Sequence, residues 1–160
     1  MTEEKEEHAA VRFPPPAVGV LTIICGYLLG RFVPVLQGFG FPAPERYWIG
    51  GGLAVVAGIV FGAWPALHFR STGQNPTPWS ETPELVRHGP YRFTRNPMYV
   101  MMILVCIGFA IILNTAWILI LTPVCATIIY FVAIRHEGTY LERKFGAAYR
   151  EYRESVRRWI

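Results

Sequence analysis

The chain has 160 residues, of which 52% are hydrophobic and 16% charged, and its formal net charge is +4. These proportions are unusual for a soluble domain of this length. The basic excess alone would fit a nucleic-acid-binding protein, but the basic residues follow a membrane topology, so we predict no nucleic-acid partner. The three cysteines lie in apolar segments without metal-ligand spacing, and we predict no metal site.

Four apolar segments account for most of the hydrophobic residues, and they span residues 17–36, 47–69, 98–113 and 116–134. Most of them approach the roughly 20 residues with which an α-helix crosses a bilayer. The third is shorter, about 24 Å at a rise of 1.5 Å per residue. The pattern predicts an all-α polytopic membrane protein with four transmembrane helices.

The chain divides into five parts along these segments. We predict a polar N-terminal tail over residues 1–16, two transmembrane helices over 17–69, and a loop over 70–96 that carries the most informative motif. A transmembrane helical hairpin over 97–134 and a single C-terminal interfacial helix over 135–160 follow.

A single polar break, Asn114-Thr115, separates the third and fourth apolar segments. So short a break predicts a tight antiparallel helical hairpin. The outer ends of its two helices, Pro97 and Ile134, must then be neighbours.

Beyond the hairpin, apolar residues recur at spacings of three and four, with basic residues between them, at Leu141, Phe145, Tyr149, Tyr152, Val156 and Trp159. This spacing predicts an amphipathic helix that lies on the membrane surface.

The distribution of basic residues predicts the orientation. If both termini and the loop over 70–96 share one side of the membrane, that side holds thirteen of the fifteen lysines and arginines. Only Arg31 and Arg46 lie opposite. By the positive-inside rule we predict an integral membrane protein whose termini and active site face the cytoplasm.

The loop before the third segment ends in a helix-start signal, Asn96-Pro97. Asparagine can cap a helix and proline fits its first turn. The amino end of a helix also presents N–H groups and a partial positive charge, which can hold a carboxylate or phosphate. With Arg92 and Arg95 beside it, this end is a predicted anion site.

Glu137 lies just past the fourth segment, at the membrane depth of residues 96–99 by the hairpin geometry. A carboxylate there is costly without a partner. Arg135, His136 and Arg95 are candidate partners, and a structural ion pair is one interpretation. The functional alternative is a ligand with both a carboxylate and a positive charge, such as S-adenosylmethionine, whose adenine needs apolar and aromatic walls like Tyr91, Phe93 and Tyr99.

A longer pattern carries a family resemblance. It runs through Leu85, Val86, Gly89, Pro90, Tyr91, Arg95, Asn96, Pro97 and Tyr99, and continues after the hairpin through Glu137, Leu141, Phe145, Gly146, Tyr149 and Tyr152. In order, spacing and hydrophobic context, residues 83–160 resemble the isoprenylcysteine carboxyl methyltransferase and phospholipid-methyltransferase-like family of integral membrane enzymes.

The resemblance implies an S-adenosylmethionine-dependent methyltransferase whose lipophilic acceptor enters from the bilayer, among membrane lipids, and is most similar to a prenylcysteine-type carboxylate. It implies a catalytic Glu137. Arg135 is the candidate substitute for a substrate-facing arginine that aligns with Ala133, and we count it as catalytic. The cofactor contacts that the resemblance implies are Pro83, Glu84, Leu85, Val86, Tyr91, Asn96, Pro97, Met98, Tyr99 and Glu137. To these we add Arg95, from the predicted anion site, and His88, a candidate ligand contact in the same loop.

Three questions stay open at this stage. An amine or thiol acceptor would need deprotonation, for which His88 or Glu137 could serve. A membrane reductase that uses NADPH is an alternative function, because sterol-reductase-like proteins resemble the same half of the chain. A non-enzymatic membrane scaffold, in which the polar cluster is only an ion-pair network, is the other alternative.

Overall fold

The computed structural model describes residues 14–38, 40–71 and 84–160. Within these ranges the chain is helical and contains no β-strand, apart from an isolated bridge between Gln37 and Thr115. The predicted all-α class is therefore confirmed.

Each of the four apolar segments forms a helix. In chain order the helices are α1 (Pro15–Phe32), α2 (Glu45–Ala57, Gly58–Ala63 and Trp64–Ser71 without a break), α3 (Pro97–Ile112), α4 (Ala116–Ile129, Tyr130–Ile134 and Arg135–Phe145 without a break) and α5 (Ala147–Ser155). The middle portions of α2 and α4 are π-helical turns.

Three of these helices are long and apolar enough to cross a membrane: Pro15–Phe32, Glu45–His68 and Ala116–Phe145. The remaining apolar helix, Pro97–Leu113, is shorter. Of the four transmembrane helices predicted, three are thus supported by length and composition. A fourth crossing by α3 stays a prediction.

The predicted hairpin is present. Helices α3 and α4 pack against each other and are joined through Asn114, which has a positive φ of 52°. The amide of Thr115 donates to the carbonyl of Ala110 at 3.1 Å and completes the turn.

The C-terminal segment differs from the single helix predicted over residues 135–160. Helix α4 does not end at Ile134 but continues to Phe145. Gly146, at φ 52°, then breaks the helix, because glycine adopts this backbone conformation without steric cost. Helix α5 ends at Ser155 and the remaining residues are not helical. Regular apolar spacing concealed the break; the surface location of this segment stays a prediction.

Helix α3 is central, since it packs against α1, α2 and α4. The buried cluster at its amino-terminal half includes Tyr99 and Met102 of α3 with Cys125, Ile129 and Ala133 of α4. This core holds the start of α3 against the carboxy-terminal half of α4, where the candidate site lies.

The backbones of α2 and α3 approach each other closely at Gly50 and Gly108. A Cβ atom on Gly50 would lie 2.5 Å from the carbonyl oxygen of Gly108, whereas a Cβ on the adjacent Gly51 would meet nothing within 4 Å. We expect Gly50→Ala to destabilise the protein by about 1–3 kcal/mol, because the obstruction is backbone. Gly51→Ala should be neutral or stabilising, since alanine favours the helix.

The measurement is the apparent melting temperature of both variants in the same detergent. Equal melting temperatures for Gly50→Ala and Gly51→Ala would contradict this packing of α2 on α3.

Candidate functional site

The hairpin brings together the two residues on which the site depends. The hydroxyl of Tyr99, in the first turn of α3, donates a hydrogen bond to Oε1 of Glu137 in α4. Tyr99 is buried and Glu137 is half-buried. The sequence-based expectation that the two helix ends are neighbours is confirmed.

The partner of Glu137 differs from those predicted. Arg135, His136 and Arg95 were the candidates, yet the bond goes to the phenol of Tyr99. Arg135 and His136 are exposed. A neutral donor satisfies one oxygen but leaves the charge of the carboxylate uncompensated, and this suits a cationic ligand better than a closed ion pair does.

Tyr91 extends the pair into a cluster. It lies in the short 3₁₀ turn Gly89–Arg92. Burial raises its pKa, and the neighbouring Tyr152 and Glu137 raise it further, so the hydroxyl stays protonated at neutral pH. The hydroxyl of Tyr152, in α5, donates to the carbonyl of Tyr91 at 2.8 Å. The loop, the hairpin and α5 thus meet at one place.

The residues after α5 clamp the motif that precedes α3. The amide of Arg95 donates to the carbonyl of Arg157 at 3.0 Å. Oγ1 of Thr94 and Nδ2 of Asn96 both donate to the carbonyl of Arg158, at 2.8 and 3.1 Å. The C-terminal residues therefore position the site, although they lie some 60 residues away along the chain.

The sequence did not predict these contacts between the C-terminal residues and the motif before α3. The sequence marks Tyr152 as an apolar position of the surface helix and as part of the family pattern, and Trp159 as an apolar position alone; neither predicts a contact with the loop, and Thr94 is not singled out. The apolar spacing was the available signal, but it does not distinguish a surface that meets lipid from one that meets the chain itself. The hydrogen bonds to the backbone carbonyls of Arg157 and Arg158 cannot be predicted from residue types, because every residue has such a carbonyl.

The start of α3 lies at Pro97, as predicted, but Asn96 does not cap the helix with its side chain. Its side chain instead bonds Arg158, and its own amide donates to Oγ1 of Thr94 at 3.1 Å. The amide of Tyr99 donates to the carbonyl of Asn96. Because these amides are already paired, an anion at this helix end would depend mainly on a side chain.

Arg95 supplies that side chain. In the described part of the chain its Nε is buried and has no hydrogen-bond partner. Burial raises the pKa of Tyr152, and the nearby guanidinium of Arg95 partly opposes this rise. The guanidinium therefore lies close to the Tyr152 hydroxyl. A buried, unsatisfied guanidinium nitrogen calls for an explanation, and an anionic ligand group is one.

The other predicted cofactor contacts are distributed around this cluster. Glu84 is exposed, Leu85 and Met98 are half-buried, and Val86 and Pro97 are buried. Pro83 lies outside the described residues.

His88 contacts α2 instead of the Tyr99–Glu137 pair. Its Nε2 lies 3.5 Å from Nδ1 of His68, and the Trp64 ring stacks on His68 with centroids 5.5 Å apart. Gly89 follows at φ 59°, where a Cβ would lie 1.9 Å from the Trp64 ring, so a glycine is required here.

Arg135 is not beside Glu137. Two residues apart on one helix, they are separated by about 200° around its axis. Arg135 lines a separate cavity between α4 and the C-terminal residues. Its predicted catalytic role stays a prediction.

Comparison with known proteins bears on these residues. The model of the phospholipid methyltransferase family matches residues 46–148, well over half of the chain. This region contains α3, all of α4 and the Tyr91, Arg95, Tyr99 and Glu137 cluster. An uncharacterized protein of Haemophilus influenzae is 35% identical over 65 residues, which are 39% of this chain and all of that protein. The family resemblance is thereby confirmed: with its membrane-length apolar helices, the chain is an integral membrane protein that belongs to the phospholipid methyltransferase family.

Proposed function

We propose that the protein transfers a methyl group from S-adenosylmethionine to a lipophilic acceptor embedded in the bilayer. The observation that carries the proposal is the Tyr99–Glu137 pair at the open end of the hairpin, with Tyr91 and Arg95 around it. We further propose that α3 crosses the membrane and that this end of the bundle faces the cytoplasm, because the basic residues concentrate there.

The residues present fit the methyl donor. The unsatisfied Nε of Arg95 would hold its carboxylate, and the charge of Glu137 would complement its cationic groups. The rings of Tyr91 and Tyr99 would form aromatic walls for the adenine or face the sulfonium. When bound, S-adenosylmethionine supplies an electrophilic methyl group.

The chain's own contribution is positioning and exclusion of water. Tyr99 fixes the orientation of the Glu137 carboxylate, while Tyr152 and the C-terminal clamp fix the backbone of Tyr91 and Arg95. Holding two reactants in line removes much of the entropic barrier of a displacement reaction. The partial burial of the cluster lowers the number of water molecules that compete for the reacting groups.

The acceptor decides whether a base is needed. A prenylcysteine-type carboxylate, the acceptor implied by the sequence resemblance, is already nucleophilic, and Arg135 would then be its candidate partner. A phospholipid amine, which the name of the family suggests, must first lose a proton. Glu137 is the better placed base, because His88 contacts α2 and is not part of the cluster.

The test is methyl incorporation from radiolabelled S-adenosylmethionine into acceptors supplied in nanodiscs. Phosphatidylethanolamine and a prenylcysteine analogue would be compared, with Glu137→Gln as the inactive control. We expect label in one lipid fraction with the wild type and at least about a hundredfold less with the variant. Equal labelling by wild type and variant would contradict the site; no labelling of any acceptor, without binding of the donor, would favour a scaffold.

A further inference from the structure

A basic cavity of about 150 Å³ lies between α4 and the C-terminal residues. Its wall includes the arginines Arg135, Arg153 and Arg158, with Tyr130, Thr139 and Tyr149. Neither Tyr99 nor Glu137 lines it. The cavity is therefore distinct from the candidate methyl-donor site, although both use α4.

The three arginines converge from three different segments. Arg135 comes from α4, Arg153 from α5 and Arg158 from the residues that follow. Arginines at a membrane surface commonly extend individually toward water. Here they instead surround one concavity, which is the arrangement expected of a site for an anion.

Two of the arginines are held in place. The guanidinium of Arg158 lies over the ring of Tyr130, 4.9 Å from its centroid. Arg153 forms an ion pair with Glu142 at 2.9 Å. Glu142 is the one carboxylate in the cavity wall, so the wall keeps an excess of two positive charges.

The cavity lies at the boundary of the apolar part of the protein. Tyr130 and Ile134 in its wall belong to the last turn of the apolar segment, and Arg135 is the first charged residue after it. At this depth the phosphate groups of lipids meet the hydrocarbon region.

We propose that this cavity binds the phosphate group of a membrane lipid. Guanidinium groups recognise phosphate oxygens through paired, charge-assisted hydrogen bonds. The hydroxyl of Tyr149 adds a neutral donor in the same wall, whereas that of Thr139 already donates to the carbonyl of Arg135 at 3.0 Å. None of the residues assigned to donor binding lines the cavity, and Arg135 is the one lining residue also proposed to contact the acceptor, so phosphate binding can be measured apart from methyl transfer.

Calorimetric titration of the purified full chain in detergent tests the proposal. The ligands are a short-chain phosphatidylglycerol, a diacylglycerol of the same chain length without phosphate, and inorganic phosphate. We expect saturable binding of phosphatidylglycerol and at least about tenfold weaker binding of diacylglycerol. Comparable binding of inorganic phosphate would support the phosphate site but assign it to a free anion.

Two double variants provide the matched comparison. Arg135→Gln with Arg158→Gln removes two cavity charges and keeps the backbone carbonyl of Arg158; it should weaken phosphatidylglycerol binding at least about tenfold. Arg143→Gln with Arg150→Gln removes two exposed arginines outside the cavity wall and should leave binding unchanged.

Arg135→Gln alone is a further control, in case the double variant binds weakly only because it is misfolded. It changes an exposed side chain, so we expect it to fold normally. It should still weaken phosphatidylglycerol binding. Equal weakening by both double variants, or equal binding of phosphatidylglycerol and diacylglycerol, would overturn the proposal.

Discussion

Replacement of Glu137 by glutamine is expected to weaken S-adenosylmethionine binding at least about tenfold and leave the helices folded. Glutamine keeps the size of the side chain and can still accept a hydrogen bond from Tyr99. It removes the negative charge that complements a cationic ligand. Isothermal titration calorimetry in nanodiscs, with circular dichroism of the same samples, measures both quantities.

Tyr99 should show a graded effect. Tyr99→Phe removes only the hydroxyl that orients Glu137, so we expect a moderate loss of affinity. Tyr99→Ala also removes an aromatic wall and should abolish measurable binding. Glu154→Gln is the control, because Glu154 is exposed on α5 and carries the same charge. Unchanged affinity in both Glu137→Gln and Tyr99→Ala would refute the site assignment.

Truncation after Ser155 is expected to abolish methyl-donor binding and lower the apparent melting temperature. It removes the carbonyls of Arg157 and Arg158, which accept hydrogen bonds from Arg95, Thr94 and Asn96. It also removes Trp159, which packs against the buried cluster. Hydrogen bonds of this kind contribute about 1 kcal/mol each.

Thr94→Val removes hydrogen bonds of the clamp while the C-terminal residues stay in place, so its effect can be compared with that of the truncation. Valine has the shape of threonine but lacks the hydroxyl that donates to Arg158 and accepts from the amide of Asn96. We expect a loss of affinity in the same direction as the truncation, with a smaller fall in melting temperature. Wild-type affinity in the truncated chain would show that the C-terminal residues serve only as a membrane anchor.

The helices could be predicted from the sequence because a bilayer constrains the length and the apolar composition of the segments that cross it. A crossing helix needs a long apolar segment, and the four segments in the sequence lie within a few residues of α1, α2, α3 and the apolar part of α4, which then continues to Phe145. The hairpin followed from the short break at Asn114-Thr115. From it came the proximity of Glu137 and Tyr99, which the structure confirms through a direct hydrogen bond.

The parts that escaped prediction depend on local backbone geometry and on hydrogen bonds to main-chain atoms. The positive φ of Gly146 ends α4, yet glycine also occurs within α2 without breaking it. The sequence predicts that the side-chain oxygen of Asn96 caps α3, but in the structure it makes no cap hydrogen bond and the side chain instead donates from Nδ2 to the carbonyl of Arg158. The position of that carbonyl follows from the path of the chain after α5, which side-chain patterns do not encode.

Calorimetric titration of the wild-type protein in lipid nanodiscs with S-adenosylmethionine, its demethylated product and NADPH tests the central claim most directly. The proposed function predicts saturable binding of the methyl donor and its product, with no heat from NADPH. Binding of NADPH, without binding of the donor or its product, would contradict the methyltransferase function and assign the Tyr99–Glu137 cluster to a reductase.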